Sequence, residues 1–341
     1  MGNFTEIEKE FNFAVQPQIN KLLTTIPTNT PQFQNEINAI FNNELSKMRF
    51  NFMKEIQNIT GRNVICYISA WLQGTNANID YSINDNDMIG LMNAVSGLDR
   101  SKGLDIVLHT PGGNITSTES IVNYLRNMFN NDIRVIVPHM AMSAGTMIAC
   151  SSKEIIMGKE SSLGPIDPQY HNVPAQGVIK EFKQAIEETQ KDPNVSLIWK
   201  EIIQQYRPTF VGECNNAIEL SFNLVQKWLS TCMFRNSKNK KEKVQSVLDE
   251  LASHDNSKVH DRHYNIVDCK KIGLKITPLE DDQNLQDKVL SLYHSYVLTI
   301  YRIPTTLSWL SDISKIYLIV GFFTSFFTIE NDSSNFSWTK S

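Results

Sequence analysis

Two short apolar runs constrain this chain more than any other feature. Ile106-Val107-Leu108 leads into His109-Thr110-Pro111-Gly112-Gly113, and Val135-Ile136-Val137 leads into Pro138-His139-Met140-Ala141-Met142-Ser143-Ala144-Gly145. Each run is uniformly apolar rather than alternating, as in strands covered on both faces, and each ends in a small-residue turn that opens a helix. Val64 to Ile68 and Ile155 to Met157 read as further strands of the same kind. Strand and helix alternate at roughly 25 to 30 residues per unit, which calls for an α/β architecture with right-handed crossovers.

The two turns hold the candidate chemistry. A serine at the C-terminal end of a strand, on a tight turn into a helix, is where an exposed nucleophile sits. It is equally where a helix N-cap sits, so Ser143 has two readings. Thr110-Pro111-Gly112-Gly113 likewise reads as an ordinary turn or as a corner whose glycines let the backbone approach a ligand closely. At the ends of consecutive strand-helix units the two motifs complement each other. Ser143 supplies a hydroxyl, and the amides of Gly113 and Ala144, with Gly112 shaping the corner, can hold a developing oxyanion.

The Thr-Pro-Gly-Gly turn followed by Met-Ser-Ala-Gly resembles the Clp-type and signal-peptide-peptidase-type serine proteases, which share the crotonase-like fold. The longer strings, Met140-Ala141-Met142-Ser143-Ala144-Gly145-Thr146-Met147-Ile148-Ala149-Cys150 and Leu163-Gly164-Pro165-Ile166-Asp167-Pro168-Gln169, resemble one branch of that group, the serine dehydrogenase proteinase family. The similarity runs from about Gly61 to about Thr299. It implies a Clp/crotonase-like core of repeated strand-strand-helix units wound as a spiral, preceded by N-terminal helices and followed by an α-helical C-terminal part. It also implies a peptidase that acts on peptide or protein substrates without cofactor or metal, assembled as a homo-oligomer. The family's name points to serine dehydrogenation as well, but no GxGxxG follows a strand, so no nicotinamide cofactor is expected.

A serine nucleophile needs a base. Clp-type enzymes place a histidine soon after the second turn, and signal peptide peptidases a lysine further on. Here the candidates are Lys183 and Lys180, spaced i, i+3 on one helical face, with Lys200 on the next helix. A lysine base must be desolvated to lose its proton near neutral pH. A Ser-Lys dyad from Lys183 or Lys180 is the favoured reading, and a triad with His171 and Asp167 the alternative. His109 and His139, each at a strand end, are candidates for the rim of the site. His254, His260 and His263 are metal-type side chains whose spacing matches no standard ligand set, so no metal is expected. The reading from a different class is a crotonase-like scaffold or binding protein that keeps the fold but lacks a competent base.

The remaining sequence frames this core. Residues 1–60 are polar, with Phe41, Leu45, Met48, Phe52 and Ile56 at helical spacing, and read as one or two helices that pack on the sheet. Asp85 is placed to cap a helix carrying Met88, Leu91 and Val95. After Gln169 the pattern becomes helical over 179–189, 196–206, 217–229 and 244–252, with a further helix over 283–299. The expected domains are therefore 1–60, 61–300 (helical from about 172) and a divergent apolar tail, 301–341. Within the tail, residues 316–329 are shorter than the ~20 a spanning helix needs and read as a buried strand or as a divergent end in place of the family's usual one, with peripheral membrane association the alternative. The net charge of −4 gives no reason to expect nucleic-acid binding. Five scattered cysteines without a CxxC pair suit buried thiols in a reducing compartment. With no apolar core in the first 20 residues, a cytoplasmic protein is expected.

Overall fold

The computed structural model describes residues 3–72, 80–170, 173–252, 259–302, 315–320 and 328–329. Two long helices come first, α1 (Phe4–Thr25) and α2 (Pro31–Thr60). The alternating part follows: β1 (Asn63–Ser69), α3 (Asp87–Val95), β2 (Leu104–His109), α4 (Ile115–Phe129), β3 (Ile133–Val137), β4 (Met140–Ala141), α5 (Ala144–Cys150), β5 (Glu154–Met157) and β6 (Ser162–Leu163). A small hairpin, β7 (Gln169–Tyr170) and β8 (Val173–Pro174), leads to four helices, α6 (Ala175–Lys191), α7 (Ser196–Ile203), α8 (Phe210–Thr231) and α9 (Lys240–Leu251). The chain then adds β9 (Tyr264–Asn265), α10 (Ile266–Lys271), β10 (Ile276–Pro278), α11 (Gln283–Arg302), β11 (Lys315–Val320) and β12 (Thr328–Ile329).

The main sheet runs β10-β5-β3-β2-β1-β11-β12. Its five strands from β10 to β1 are parallel, and β11 joins β1 antiparallel. β1 and β2 are buried along their whole length, because both sheet faces are covered. Residues alternate between two cores. Ile106, Leu108, Val135 and Val137 meet α4, α5, α8 and α9 on one face. Val107, Ile136, Val64, Cys66 and Ile68 meet α1, α2 and α11 on the other. The N-terminal helices thus pack on the sheet. Leu45, Met48, Phe52, Met53 and Ile56 of α2 recur every three to four residues and are all buried. Each such side chain stabilises the fold by about 1.5–3 kcal/mol.

One local expectation changes in the structure. Asp85 does not cap α3, whose N-cap Asn86 makes no side-chain cap bond. Its carboxylate accepts from Ser117 Oγ at 2.5 Å and ties the α3 entry to the first turn of α4. α4 is capped by Asn114, which accepts from the amides of Thr116 and Ser117. In the apolar stretch 316–329, Lys315–Val320 forms a strand paired with β1, and Thr328–Ile329 pairs with that strand. No helix among the described residues is long and apolar enough to cross a membrane.

At the opposite end of the sheet from the small-residue turns, Asp105 is fully buried between two guanidinium groups. Arg62 Nε donates to it at 2.6 Å, and Arg134 donates through Nε at 2.8 Å and Nη2 at 2.6 Å. Removing the shared carboxylate takes the two-pronged partner from largely buried Arg134 and leaves Arg62 its ion pair with Asp132 at 3.0 Å. Asp105→Ala is therefore expected to lower the unfolding free energy by about 3–5 kcal/mol in a denaturant melt. A loss below 1 kcal/mol would mean the arginines find water instead.

Candidate active site

The two corners meet. Thr110 N–H donates to Met140 O at 3.1 Å and Met142 N–H donates to Thr110 O at 3.0 Å, so the end of β2 is laced to β4. A Cβ on Gly112 would lie 2.7 Å from Met142 O, 2.7 Å from Ser143 Cβ and 2.9 Å from Ala144 N. Gly112, at φ +100°, lets the diglycine turn touch the serine turn directly. Gly112→Ala is expected to force the corners apart, lowering the melting temperature and abolishing any reactivity of Ser143 towards an active-site probe. Full reactivity in that variant would show that the contact is dispensable.

The amides are positioned by the same contacts. Ile83 N–H donates to Gly112 O at 2.7 Å, and Asn114 N–H donates to Ile83 O at 2.8 Å. The flanking residues face Ile83, so the Gly113 amide between them points the other way. Ala144 is the first residue of α5, and its amide has no acceptor within the helix. Among the described residues neither amide is used in these contacts, so both are candidate donors on adjoining corners.

Ser143 sits at φ 50°, ψ −116°. An L-residue in this region is strained and persists only where its surroundings impose it. The N-cap reading fails, because the Ser143 side chain makes no cap hydrogen bond. Its hydroxyl is half-buried and has no hydrogen-bond partner among the described residues. The corner beneath it is held by Thr146, whose Oγ1 lies 2.8 Å from Ala141 O and 2.9 Å from Gly164 O and accepts from Gly164 N–H at 3.0 Å. Gly164 in turn packs on Met142, the residue before the serine.

Three residues beyond Gly164, Asp167 is fully buried, and its Oδ1 lies 2.8 Å from Nδ1 of His260. A carboxylate only accepts, so Nδ1 of His260 is the donor in this contact. β9 holds the His260 loop in place by pairing Tyr264 with Leu163 of β6.

The model of the ClpP-like SDH-type serine proteinase family matches residues 37–308, most of the chain and all of this site. The chain belongs to that family. Membership makes its general chemistry that of a serine protease. The match begins within α2, earlier than the Gly61 expected from the motifs. Among relatives, the uncharacterized protein MJ0137 of Methanocaldococcus jannaschii is 27% identical over 257 residues, covering 74% of this chain and 80% of that protein. The uncharacterized protein MJ1495 of the same organism is 32% identical over 145 residues, covering 40% of this chain and 49% of its own length.

Against this family background, the structure separates the other candidates. Lys180 and Lys183 are exposed on α6, and Lys200 is exposed on α7. None has the burial that a lysine base requires. His171 and His254 lie outside the described residues. The imidazole beside Asp167 is His260, which sequence reasoning had considered only as part of a metal set. It stands 93 residues from its carboxylate, and no local spacing signals the pair. His263 belongs to a different contact, with its Nδ1 2.9 Å from Ser162 Oγ.

His109 and His139 stack at the strand ends with ring centroids 5.4 Å apart. Burial pushes the His109 pKa down to about 3, and His139 adds to the depression. The unfolded chain binds a proton here below its ordinary value of about 6.5, whereas the folded chain resists until about 3. Stability contributed by neutral His109 is thus complete above about 6.5 and is lost as pH falls towards 3. The expected slope is at most about 1.4 kcal/mol per pH unit. His109→Phe should flatten it in melts between those limits, and an unchanged slope would assign the acid sensitivity to other groups.

Proposed function

We propose that this chain is a serine endopeptidase of the Clp and signal-peptide-peptidase class, with the ClpP-like spiral core and no cofactor. Ser143 is the nucleophile, the Gly113 and Ala144 amides form the oxyanion hole, and His260 oriented by Asp167 is the general base. One observation carries this reading: the diglycine corner lies against a serine held in a strained turn, with its hydroxyl uncommitted.

In the proposed cycle, Ser143 Oγ attacks the peptide carbonyl carbon as its proton passes to His260 Nε2. The carbonyl oxygen becomes negative between the two amides, which are worth about 3–4 kcal/mol each to such a transition state. The C–N bond then breaks, and the imidazolium returns the proton to the leaving amine. Water attacks the acyl-enzyme by the same route and frees Ser143. Asp167 stabilises the transient imidazolium and fixes the tautomer. The exposed lysines of α6 are the competing base. Labelling with a fluorophosphonate probe, mapped by peptide sequencing, tests the assignment. Modification at Ser143 is expected. A chain that stays unmodified at every pH would be a non-proteolytic crotonase-like scaffold.

A further inference from the structure

A cavity of about 830 Å³ opens at the same strand ends as the serine corner, and the chemistry above makes no use of it. Pockets that bury most of a drug-sized ligand span about 300–1,000 Å³. Its walls are apolar, formed by Phe4 of α1, Leu72 just after β1, and Leu290 and Val297 of α11. His139 and Tyr293 also line it, joined by a hydrogen bond of 2.8 Å between His139 Nδ1 and the phenol oxygen. His139 is stacked on His109 behind it, and its carbonyl accepts from Ser162 N–H at 2.8 Å. Both ring and main chain are therefore fixed before any ligand arrives.

From His139 the chain reaches Ser143 through β4. Four residues span at most about 14 Å, so cavity and nucleophile lie within the length of one short extended peptide. Two carboxylates, Glu8 and Glu160, line the cavity as well, and none of its described lining residues is Lys or Arg. Phe4 and Glu8 belong to α1, outside the residues 37–308 that the family model matches.

We propose that this cavity is the side-chain recognition pocket of the peptidase, taking a bulky apolar or aromatic side chain of a peptide substrate a few residues from the bond cut at Ser143. The proposal rests on the hydrolase reading above. The apolar walls supply affinity, the rigid His139–Tyr293 pair supplies shape, and the carboxylates penalise an acidic neighbour in the substrate.

The test pairs quenched peptides that carry Phe or Ala at successive positions around a cleavable bond. Full-length protein is expected to favour Phe at one position two to four residues from the cut, by about 10-fold or more in kcat/KM. Leu72→Glu, on an exposed turn, and Phe4→Ala should each collapse that ratio towards one. A second arm needs no turnover. Fluorescence anisotropy of the labelled Phe peptide on Ser143→Ala protein should show binding that Leu72→Glu weakens by about 10-fold. Unchanged ratio and unchanged binding overturn the pocket while leaving the hydrolase standing. A fluorophosphonate-inert native chain that still loses peptide affinity with Leu72→Glu overturns the hydrolase and keeps a peptide pocket.

Discussion

Replacing Ser143 by alanine is expected to lower peptidase kcat by about 10⁴- to 10⁶-fold, the range seen when a triad nucleophile is removed. The residual rate would come from the oxyanion donors and substrate binding, which the substitution leaves in place. The same change should cost little stability. The Ser143 hydroxyl caps no helix, so its removal breaks no structural hydrogen bond. Alanine accepts the φ of 50° no worse than serine does, and the melting free energy should stay within about 0.5 kcal/mol. This split distinguishes a nucleophile from an N-cap, whose loss costs about 1 kcal/mol and leaves turnover untouched. Steady-state kinetics and a thermal melt on one preparation decide it. A stable variant that keeps more than a tenth of its activity would remove Ser143 from the mechanism.

His260→Ala and Asp167→Asn are expected to have effects nearly as large, about 10⁴-fold in kcat. Asparagine keeps the shape of the buried carboxyl but can hold the imidazole in the wrong tautomer, with its lone pair turned away from the serine. Residues that act as one unit are strongly non-additive, so the double variant should be no slower than the slower single one. Lys180→Ala and Lys183→Ala serve as the contrast. Both side chains are exposed, and their removal should leave kcat within about 3-fold, as for surface changes that touch no reacting group. Should His260→Ala keep full activity while a lysine variant loses it, the base is a lysine desolvated only when substrate or a second copy covers α6.

The glycine positions show how far sequence reasoning reached into the site. Gly112 and Gly113 stood out because they pair with the small-residue turn at the end of the next strand, and the structure places them against Ser143 and Ile83. The strained serine was legible for the same reason, as a polar residue among small ones at the end of an apolar strand. Asp85 misled because an N-cap is inferred from chain neighbours alone, whereas its partner, Ser117, arrives from another helix. The lysine preference failed to anticipate exposure because helical spacing reports which residues share a face and not what covers that face.

Sequence by itself determined what depends on contacts within about one strand or one helix. That includes the apolar runs at the centre of β1 and β2, the small-residue helix α5, the helices after Gln169 and the two corners, since a period or a turn signature is written in adjacent residues. Only the tertiary structure decided which elements came together. It brought His260 to Asp167, laid β11 against β1, and closed α1 and α11 over His139 to form a cavity. Those pairings are set by burial and by hydrogen bonds between residues far apart in the chain, and no local pattern records them.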